Sequence, residues 1–149
     1  MASSDNSRHV RDVMTANPES VSAKDSIREV ARIMKDSDTG VVPVVDGRKI
    51  IGLITDRDIV VRGVAEGKSV DDMSVNEIMT KSVRSVREDA TVGDALNMMS
   101  SADIRRIAVV NQNDELVGIV SIGDISTNTN ADGKVGQAIE SISEAPPNN

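Results

Sequence analysis

The chain has 149 residues, with 17 basic and 24 acidic side chains that give a net charge of −7 at pH 7. This acidity argues against nucleic-acid binding, which needs a stripe of cations opposite the phosphates. The chain has one histidine and no cysteine, phenylalanine, tyrosine or tryptophan, which excludes disulfides, thiolate metal sites and aromatic stacking on a bound base.

No apolar run approaches the roughly 18 residues of a membrane span, and the N-terminus lacks the apolar segment of a secretory signal. The sequence therefore predicts a cytoplasmic protein with no membrane partner and no metal site.

In chain order, the first half reads as a short helix, a strand, a longer helix, two strands and a further helix. The apolar positions of these elements are Val10, Val13 and Met14; Val21; Ile27, Val30, Ala31 and Met34; 41–45; 50–54; and Ile59, Val60 and Val64. The first two helical sets follow i, i+3, i+4 spacing, and the paired strands are β-branched runs that predict burial on both faces. Asp46-Gly47 between those strands is a hairpin turn signal.

The same order of elements returns about 65 residues later. The matching apolar positions are Val75, Ile78 and Met79; Val86; Val92, Ala95, Leu96 and Met99; 107–110; and 116–120. Met14-Thr15 returns as Met79-Thr80, and Ser74-x-x-Glu77 resembles a capping box. Duplication on this scale fixes the architecture.

The repeat also predicts the division of the chain. Residues 1–8 are expected to be a disordered N-terminus, 9–66 the first repeat, 67–74 a linker and 75–126 the second repeat. The polar tail over 127–149 contains one short predicted amphipathic helix over 135–142.

A hydroxyl residue followed three positions later by an aspartate closes each repeat, as Thr55-x-x-Asp58 and Ser121-x-x-Asp124. A carboxylate accepts hydrogen bonds from ribose hydroxyls, and a hydroxyl at a helix start can contact phosphate oxygens. The same pattern is also a helix capping box, and one copy alone favours that interpretation. Two copies, each after a glycine-containing strand, favour a shared ligand role.

Arg57 and Arg106 are candidate phosphate partners, because a guanidinium binds phosphate bidentately. The alternative for either is a solvated surface side chain. Gly52 and Gly118 lie within strands and indicate a close approach, either of a base or of a helix packed on the sheet. We find no catalytic triad and no phosphate loop, so no catalytic residue is predicted.

The Met-Thr openings, the strand over 42–45 and the Gly-x-x-Thr/Ser-x-x-Asp-Ile endings resemble a tandem pair of CBS domains, or Bateman module, from about residue 10 to residue 126. Residues 55–60 are similar to small stand-alone prokaryotic CBS-pair proteins of the hypoxic-response type. The resemblance implies an α/β (α+β) fold of two βαββα units related by a pseudo-twofold axis, with small mixed sheets packed with helices.

The resemblance further implies a stand-alone regulatory module and not an enzyme. It would bind an adenine nucleotide (AMP, ADP or ATP) in one or both clefts between the CBS repeats and signal to a separate, unidentified protein. S-adenosylmethionine is the less favoured ligand, and no obligatory cofactor is implied. The alternative is a structural or interaction dimer with non-binding clefts that docks on a partner protein.

The family's site residues transfer by position. Asp58 and Asp124 would hold ribose, Thr55 and Ser121 would contact ribose or phosphate, Arg106 would face phosphate, and Val21 and Val86 would lie near the base. Gly123 stands where the first motif has Arg57, so the two clefts are expected to differ in affinity. Family members usually form homodimers, so a homodimer is expected here.

Overall fold

A computed structural model of the chain describes residues 8–128. The predictions for residues 1–7 and for a helix over 135–142 lie outside the described residues. The described part forms two compact units, which we call unit A (residues 18–83) and unit B (residues 8–17 and 84–128). Within this part, no helix combines the length and apolarity that a membrane span requires.

The strand predicted at Val21 is not formed and the strand at Thr15–Ala16 was not predicted, but the regular elements otherwise follow the predicted order. They are β1 (Thr15–Ala16), α1 (Ile27–Ser37), β2 (Val41–Asp46), β3 (Lys49–Thr55), α2 (Asp56–Asp58), α3 (Val75–Ile78), β4 (Ser85–Arg87), α4 (Val92–Ala102), β5 (Arg106–Val110), β6 (Leu116–Ser121) and α5 (Ile122–Asn128). Helix α2 continues as a π-helix over Ile59–Gly63, and short 3-10 turns lie at Val10–Asp12, Val64–Glu66 and Val70–Asp72. The second repeat therefore reads β4–α4–β5–β6–α5, and the predicted α/β class is confirmed.

Unit A is built on the antiparallel hairpin of β2 and β3, in which Val44 lies opposite Gly52. Gly47 in the turn has a φ of 66°, as the hairpin signal predicts. Val21 forms only an isolated parallel bridge with Val44, at the position where the second repeat has β4. Apolar side chains from the first repeat, the predicted linker and the start of the second repeat fill the core. They are Val21, Ile27, Val30, Ile33, Val42, Val44, Ile54, Met73, Val75, Ile78 and Met79.

Unit B contains a four-stranded sheet in the order β1–β6–β5–β4, with β4 and β5 parallel and the other pairs antiparallel. Helix α4 contributes the largest share of its core. The buried side chains are Val10, Val13, Val86, Val92, Ala95, Leu96, Met99, Ile107, Val109, Val120 and Ile125.

The two long helices begin and end in the same way. Ser26 and Thr91 are their N-caps, and each hydroxyl oxygen accepts the backbone N–H three residues on at 3.1 Å, which satisfies a donor that the helix leaves unpaired. Asp38 and Asp103 end the helices in the left-handed conformation, with φ of 50° and 55°. An aspartate adopts this conformation at a smaller cost than most side chains.

The Met-Thr segments account for the two strand glycines. A Cβ built on Gly52 would lie 2.9 Å from the carbonyl oxygen of Thr80, and one on Gly118 would lie 2.9 Å from that of Thr15. The Sδ atoms of the preceding methionines would be 2.8 and 2.5 Å away. The predicted close approach is therefore observed, but the element that approaches is an extended segment, so the predicted helix packing at these glycines is wrong.

The compact units do not follow the order of the repeats. Residues 8–17 belong to unit B, where β1 pairs with β6. Residues 74–83 belong to unit A, where Leu53 and Thr80 exchange two backbone hydrogen bonds of 3.0 and 2.8 Å. Each unit thus receives its Met-Thr segment from the start of the other repeat.

Part of the segment predicted as a linker over 67–74 also packs in unit A. Met73 is 4% exposed in the core, and Ser74 forms a bridge with Ser26. Ser74 then begins α3 through the predicted capping box: its N–H and hydroxyl donate to Glu77 Oε1 at 3.3 and 3.0 Å. The capping prediction is confirmed.

This capping box makes stability depend on pH. Hydrogen bonds from the Ser74 hydroxyl and backbone, followed by the charge of Lys68, lower the pKa of Glu77. Because its folded pKa lies below its unfolded value, about 4.3, ionised Glu77 stabilises the fold above that value. The contribution is lost as the pH falls through the folded pKa.

Glu77→Gln is therefore expected to flatten the acid limb of the stability profile. Between about pH 5 and pH 3, the urea midpoint followed by circular dichroism should fall less steeply for the variant than for the wild type. Glu19→Gln, the same charge change at an exposed position, should leave the slope unchanged. Parallel profiles for Glu77→Gln and the wild type would contradict the assignment.

Candidate functional site

The first hydroxyl-x-x-aspartate motif forms a complete capping box between β3 and α2. The N–H of Thr55 donates to Asp58 Oδ2 at 3.0 Å, and the Thr55 hydroxyl oxygen accepts the N–H of Asp58 at 3.1 Å. Both residues are buried. The structural interpretation of the motif is therefore confirmed here, and any ligand role is additional to it.

Two further groups contact the Asp58 carboxylate within unit A. The Thr80 hydroxyl lies 3.3 Å from both carboxylate oxygens and donates to them, and Arg62 Nε lies 3.9 Å from Oδ1. Arg62 also donates from Nη1 to the carbonyl oxygens of Met79 at 3.1 Å and Ile78 at 3.4 Å. As a result, the Asp58 side chain is only 9% exposed.

The helix that carries Arg62 departs from regular α geometry. It is a π-helix over Ile59–Gly63, in which the N–H of Val64 bonds to the carbonyls of Ile59 and Val60. Gly63 lies against the Met73 thioether, leaving no room for a Cβ. Single π-turns are rare and are found frequently at functional sites. The matching helix of the second repeat, α5, is a regular α-helix.

The second motif repeats the capping bonds in a more open setting. The N–H of Ser121 donates to Asp124 Oδ2, and the Ser121 hydroxyl oxygen accepts the N–H of Asp124, both at 3.0 Å. Both residues are half-buried. Gly123 replaces the arginine of the first motif, and among residues 8–128 a Cβ there would meet only the Ser121 Oγ, at 3.6 Å.

Arg106 is the cation nearest to the second motif in the sheet register. It begins β5 directly opposite Ser121, the last residue of β6, so the two side chains project from the same face. Arg106 is half-buried, and within residues 8–128 its guanidinium has no ion pair or hydrogen bond. The neighbouring Arg105 carbonyl accepts the N–H of Ile122 at 3.0 Å. The structure thus brings Arg106, Ser121 and Asp124 together.

The other predicted site residues lie elsewhere. Arg57 is exposed on α2. Val21 and Val86 are 4% and 7% exposed in the cores of units A and B. Val86 pairs with Val109, and strand alternation puts that pair on the face of the sheet opposite Arg106. The structure does not bring Val86 and Arg106 onto one face.

With this geometry established, comparison with known proteins identifies the family. The family model for the CBS domain matches residues 10–63 and again residues 75–128. The chain belongs to the CBS domain family. Among its relatives, the uncharacterised protein YlbB of Bacillus subtilis is 39% identical over 137 residues, which is 91% of each chain.

Solved structures of CBS proteins share the fold. Hypoxic response protein I with two coordinated zinc ions superposes with a TM-score of 0.72 at 30% identity, over 80% of this chain and 98% of that one. The CBS domain pair of protein MJ0100, in complex with 5′-methylthioadenosine and S-adenosyl-L-methionine, gives 0.71 at 32% identity, over 80% and 93%. The resemblance to a tandem CBS pair of the hypoxic-response type is confirmed.

Metal binding has no obvious location in the part of this CBS pair that the structure describes. No three histidine, cysteine, aspartate or glutamate side chains are grouped there so that they could hold an ion.

Two residues of the first CBS repeat's site were missed from the sequence. Arg62 had a detectable signal, because it lies four positions after Asp58 and such pairs meet on one helix face. For Thr80, the only sequence signal was its membership of the repeated Met-Thr pair. Its contact with Asp58 joins residues 22 positions apart, and no local pattern predicts such a contact.

Proposed function

We propose that this CBS pair is a regulatory, non-catalytic module that binds an adenine nucleotide of the AMP, ADP or ATP class and signals to a separate protein. A homodimer acting in the cytoplasm is part of the proposal. The observation that carries it is the grouping of Arg106, Ser121 and Asp124 at one end of the β5–β6 hairpin. A CBS pair 32% identical to this one, solved with two adenosine-containing ligands, supports the adenosine class.

The three side chains suit the ribose and phosphate groups of a nucleotide. The Asp124 carboxylate accepts hydrogen bonds from ribose hydroxyls, and the Ser121 hydroxyl donates to a ribose or phosphate oxygen. Arg106 supplies a planar fork for a phosphate, whose charge-assisted hydrogen bonds are about twice as strong as neutral ones. Because Arg106 is cationic, it favours a phosphate over the positively charged sulfonium of S-adenosylmethionine.

Phosphate binding at Arg106 also gives a physical reason for a conformational change on nucleotide binding. A ligand shifts a conformational equilibrium only through its different affinity for the two states. The Arg106 guanidinium, which has no side-chain partner within residues 8–128, gains one when a phosphate binds. We expect phosphate-bearing nucleotides to stabilise the conformation in which the Arg106 guanidinium lies beside Ser121 and Asp124.

The test is titration calorimetry of the full chain with AMP, ADP, ATP and S-adenosylmethionine, with thermal unfolding followed by circular dichroism. At least one nucleotide should bind with a dissociation constant on the order of micromolar and raise the melting temperature by mass action. Arg106→Gln should weaken nucleotide binding about tenfold or more, since a hydrogen bond to a charged group contributes about 1.5–3 kcal/mol.

Arg87→Gln is the matched control. Arg87 lies opposite Val110, at the other end of β5 from Arg106, roughly 13 Å along the strand. Arg87→Gln removes the same charge as Arg106→Gln, but it should change the nucleotide affinity by less than about twofold. Equal losses in the two variants would mean a general charge effect. No heat and no thermal shift with all four ligands would favour the alternative, a structural dimer that docks on a partner protein.

A further inference from the structure

A polar cleft of about 300 Å³ lies in unit B at the turn of the β5–β6 hairpin, whereas Arg106 lies at the open end of that hairpin. Its walls come from the turn over Val10–Asp12, the end of β4 with the loop that follows, and the β5–β6 turn. We propose that this cleft binds a free α-amino acid with a neutral polar side chain. The proposal does not depend on nucleotide binding, because it concerns other residues and another ligand.

Backbone hydrogen bonds join the three walls of the cleft. The Arg11 N–H donates to the Glu88 carbonyl oxygen at 3.1 Å, and the Glu88 N–H donates to the Val110 carbonyl oxygen at 2.9 Å. In the hairpin turn, the Asn111 side-chain oxygen accepts the N–H of Asn113 at 2.9 Å. These bonds fix the walls relative to one another, so a ligand would not have to supply the free energy of ordering them.

The charged side chains that line the cleft do not pair with one another. Within residues 8–128, the guanidinium groups of Arg11 and Arg87 have neither an ion pair nor a hydrogen bond, and the same holds for the carboxylates of Glu88 and Asp89. In the same part of the chain, the backbone N–H groups of Asp89 and Gln112 have no acceptor. Two cations, two anions and two N–H donors therefore line one cavity with unused hydrogen-bonding capacity.

A free α-amino acid complements this set of groups. Its carboxylate can accept paired hydrogen bonds from a guanidinium and further ones from backbone N–H groups, and its ammonium offers three donors to the carboxylates. A nucleotide would bring phosphates but no cation for Glu88 and Asp89, and these carboxylates would repel it.

The charge balance and the size of the cleft narrow the class of amino acid. Two arginines and two carboxylates cancel, which favours a ligand whose side chain carries no charge, and the Gln112 carboxamide can hydrogen-bond to a polar one. The volume is at the lower end of the range for small-molecule sites, about 300–1,000 Å³, which suits a ligand of this size.

Two-dimensional ¹H–¹⁵N NMR of the full chain with L-glutamine and L-serine tests the proposal. The amide signals of residues 87–90 and 111–113 should shift saturably with at least one of them. The dissociation constant should be on the order of a millimolar, as expected for a ligand with few non-hydrogen atoms. N-acetyl-L-glutamine lacks the ammonium and L-glutaminamide lacks the carboxylate, so both should bind at least about tenfold more weakly than L-glutamine.

Substitutions test the residues. Arg87→Gln and Glu88→Gln should each weaken amino-acid binding about tenfold or more, since each removes a charged hydrogen-bonding partner. Arg84→Gln is the matched control, because Arg84 is exposed and precedes β4, roughly 10 Å along the chain from Arg87. It should change the affinity less than about twofold. Circular dichroism should show melting temperatures within a few degrees of the wild type, because the three side chains lie outside the core.

Three outcomes would overturn the site. They are no saturable shift with either amino acid, equal binding of the blocked derivatives, and equal losses in Arg84→Gln and Arg87→Gln. The blocked derivatives are measured on the wild type, so that comparison decides even if a variant does not fold. None of these outcomes affects the proposed function, because the nucleotide site was assigned to Arg106, Ser121 and Asp124. S-adenosylmethionine is not a suitable probe for this cleft, because it carries both an α-amino acid group and an adenosine.

Discussion

Gly118→Ala is expected to destabilise the protein strongly, although it adds a single methyl group. The new Cβ would lie 2.9 Å from the Thr15 carbonyl oxygen and 2.5 Å from the Met14 Sδ. The carbonyl belongs to β1, which pairs with β6 at this point, so relief requires the two strands to separate. Overpacking of this kind costs about 1–3 kcal/mol, which corresponds to a fall in melting temperature of roughly 2–12 °C for a chain of this size.

Thermal and urea unfolding followed by circular dichroism measure the effect, and Gly123→Ala is the control. Within the described part of the chain, a Cβ on Gly123 meets only the Ser121 Oγ, at 3.6 Å, and alanine is the better helix former by about 1 kcal/mol. Its stability should match or exceed the wild type. Adding Met14→Ala to Gly118→Ala should not restore stability, because the Thr15 carbonyl remains and the thioether's packing is lost. Equal stability of Gly118→Ala and the wild type would refute the close approach.

The periodic elements could be predicted because their signal is local. The apolar spacing at Ile27 and at Val92 placed the starts of α1 and α4, and the β-branched runs placed β2, β3, β5 and β6 to within a residue or two. Strand β1 is two residues long, too short for any periodicity. Its pairing with β6 joins positions about 100 residues apart, so sequence spacing carried no information about it.

The candidate site, too, could be predicted from sequence only where its contacts are local. The two hydroxyl-x-x-aspartate motifs were predicted from spacing, and their capping bonds form because residues i and i+3 meet at a helix start. The difference in exposure between Asp58 and Asp124 was not predicted from the motifs, which are nearly identical. It follows in part from Thr80, whose position beside Asp58 depends on how the Met-Thr segment packs.

That packing leads to a second large prediction, concerning fragments. Residues 18–83, which correspond to unit A, are expected to unfold cooperatively on their own, whereas residues 9–66, the first sequence repeat, are not. The shorter boundary at 66 removes four buried side chains of the unit A core, Met73, Val75, Ile78 and Met79. Burial of side chains this size contributes about 1.5–3 kcal/mol each, so their loss is comparable to the whole stability of a typical domain, about 5–15 kcal/mol.

The comparison also isolates the contribution of the Met-Thr segment. In residues 9–66, β3 loses its two backbone hydrogen bonds with Thr80, and residues 9–17 bring apolar side chains whose packing partners lie in unit B. Circular dichroism during heating should show a sigmoidal transition for 18–83 and a gradual one for 9–66. Ile78→Ala within 18–83 should abolish the transition or lower its midpoint, since a buried isoleucine truncation costs about 2–5 kcal/mol. A cooperative transition in 9–66 at the same temperature would show that the sequence repeat, and not unit A, is the folding unit.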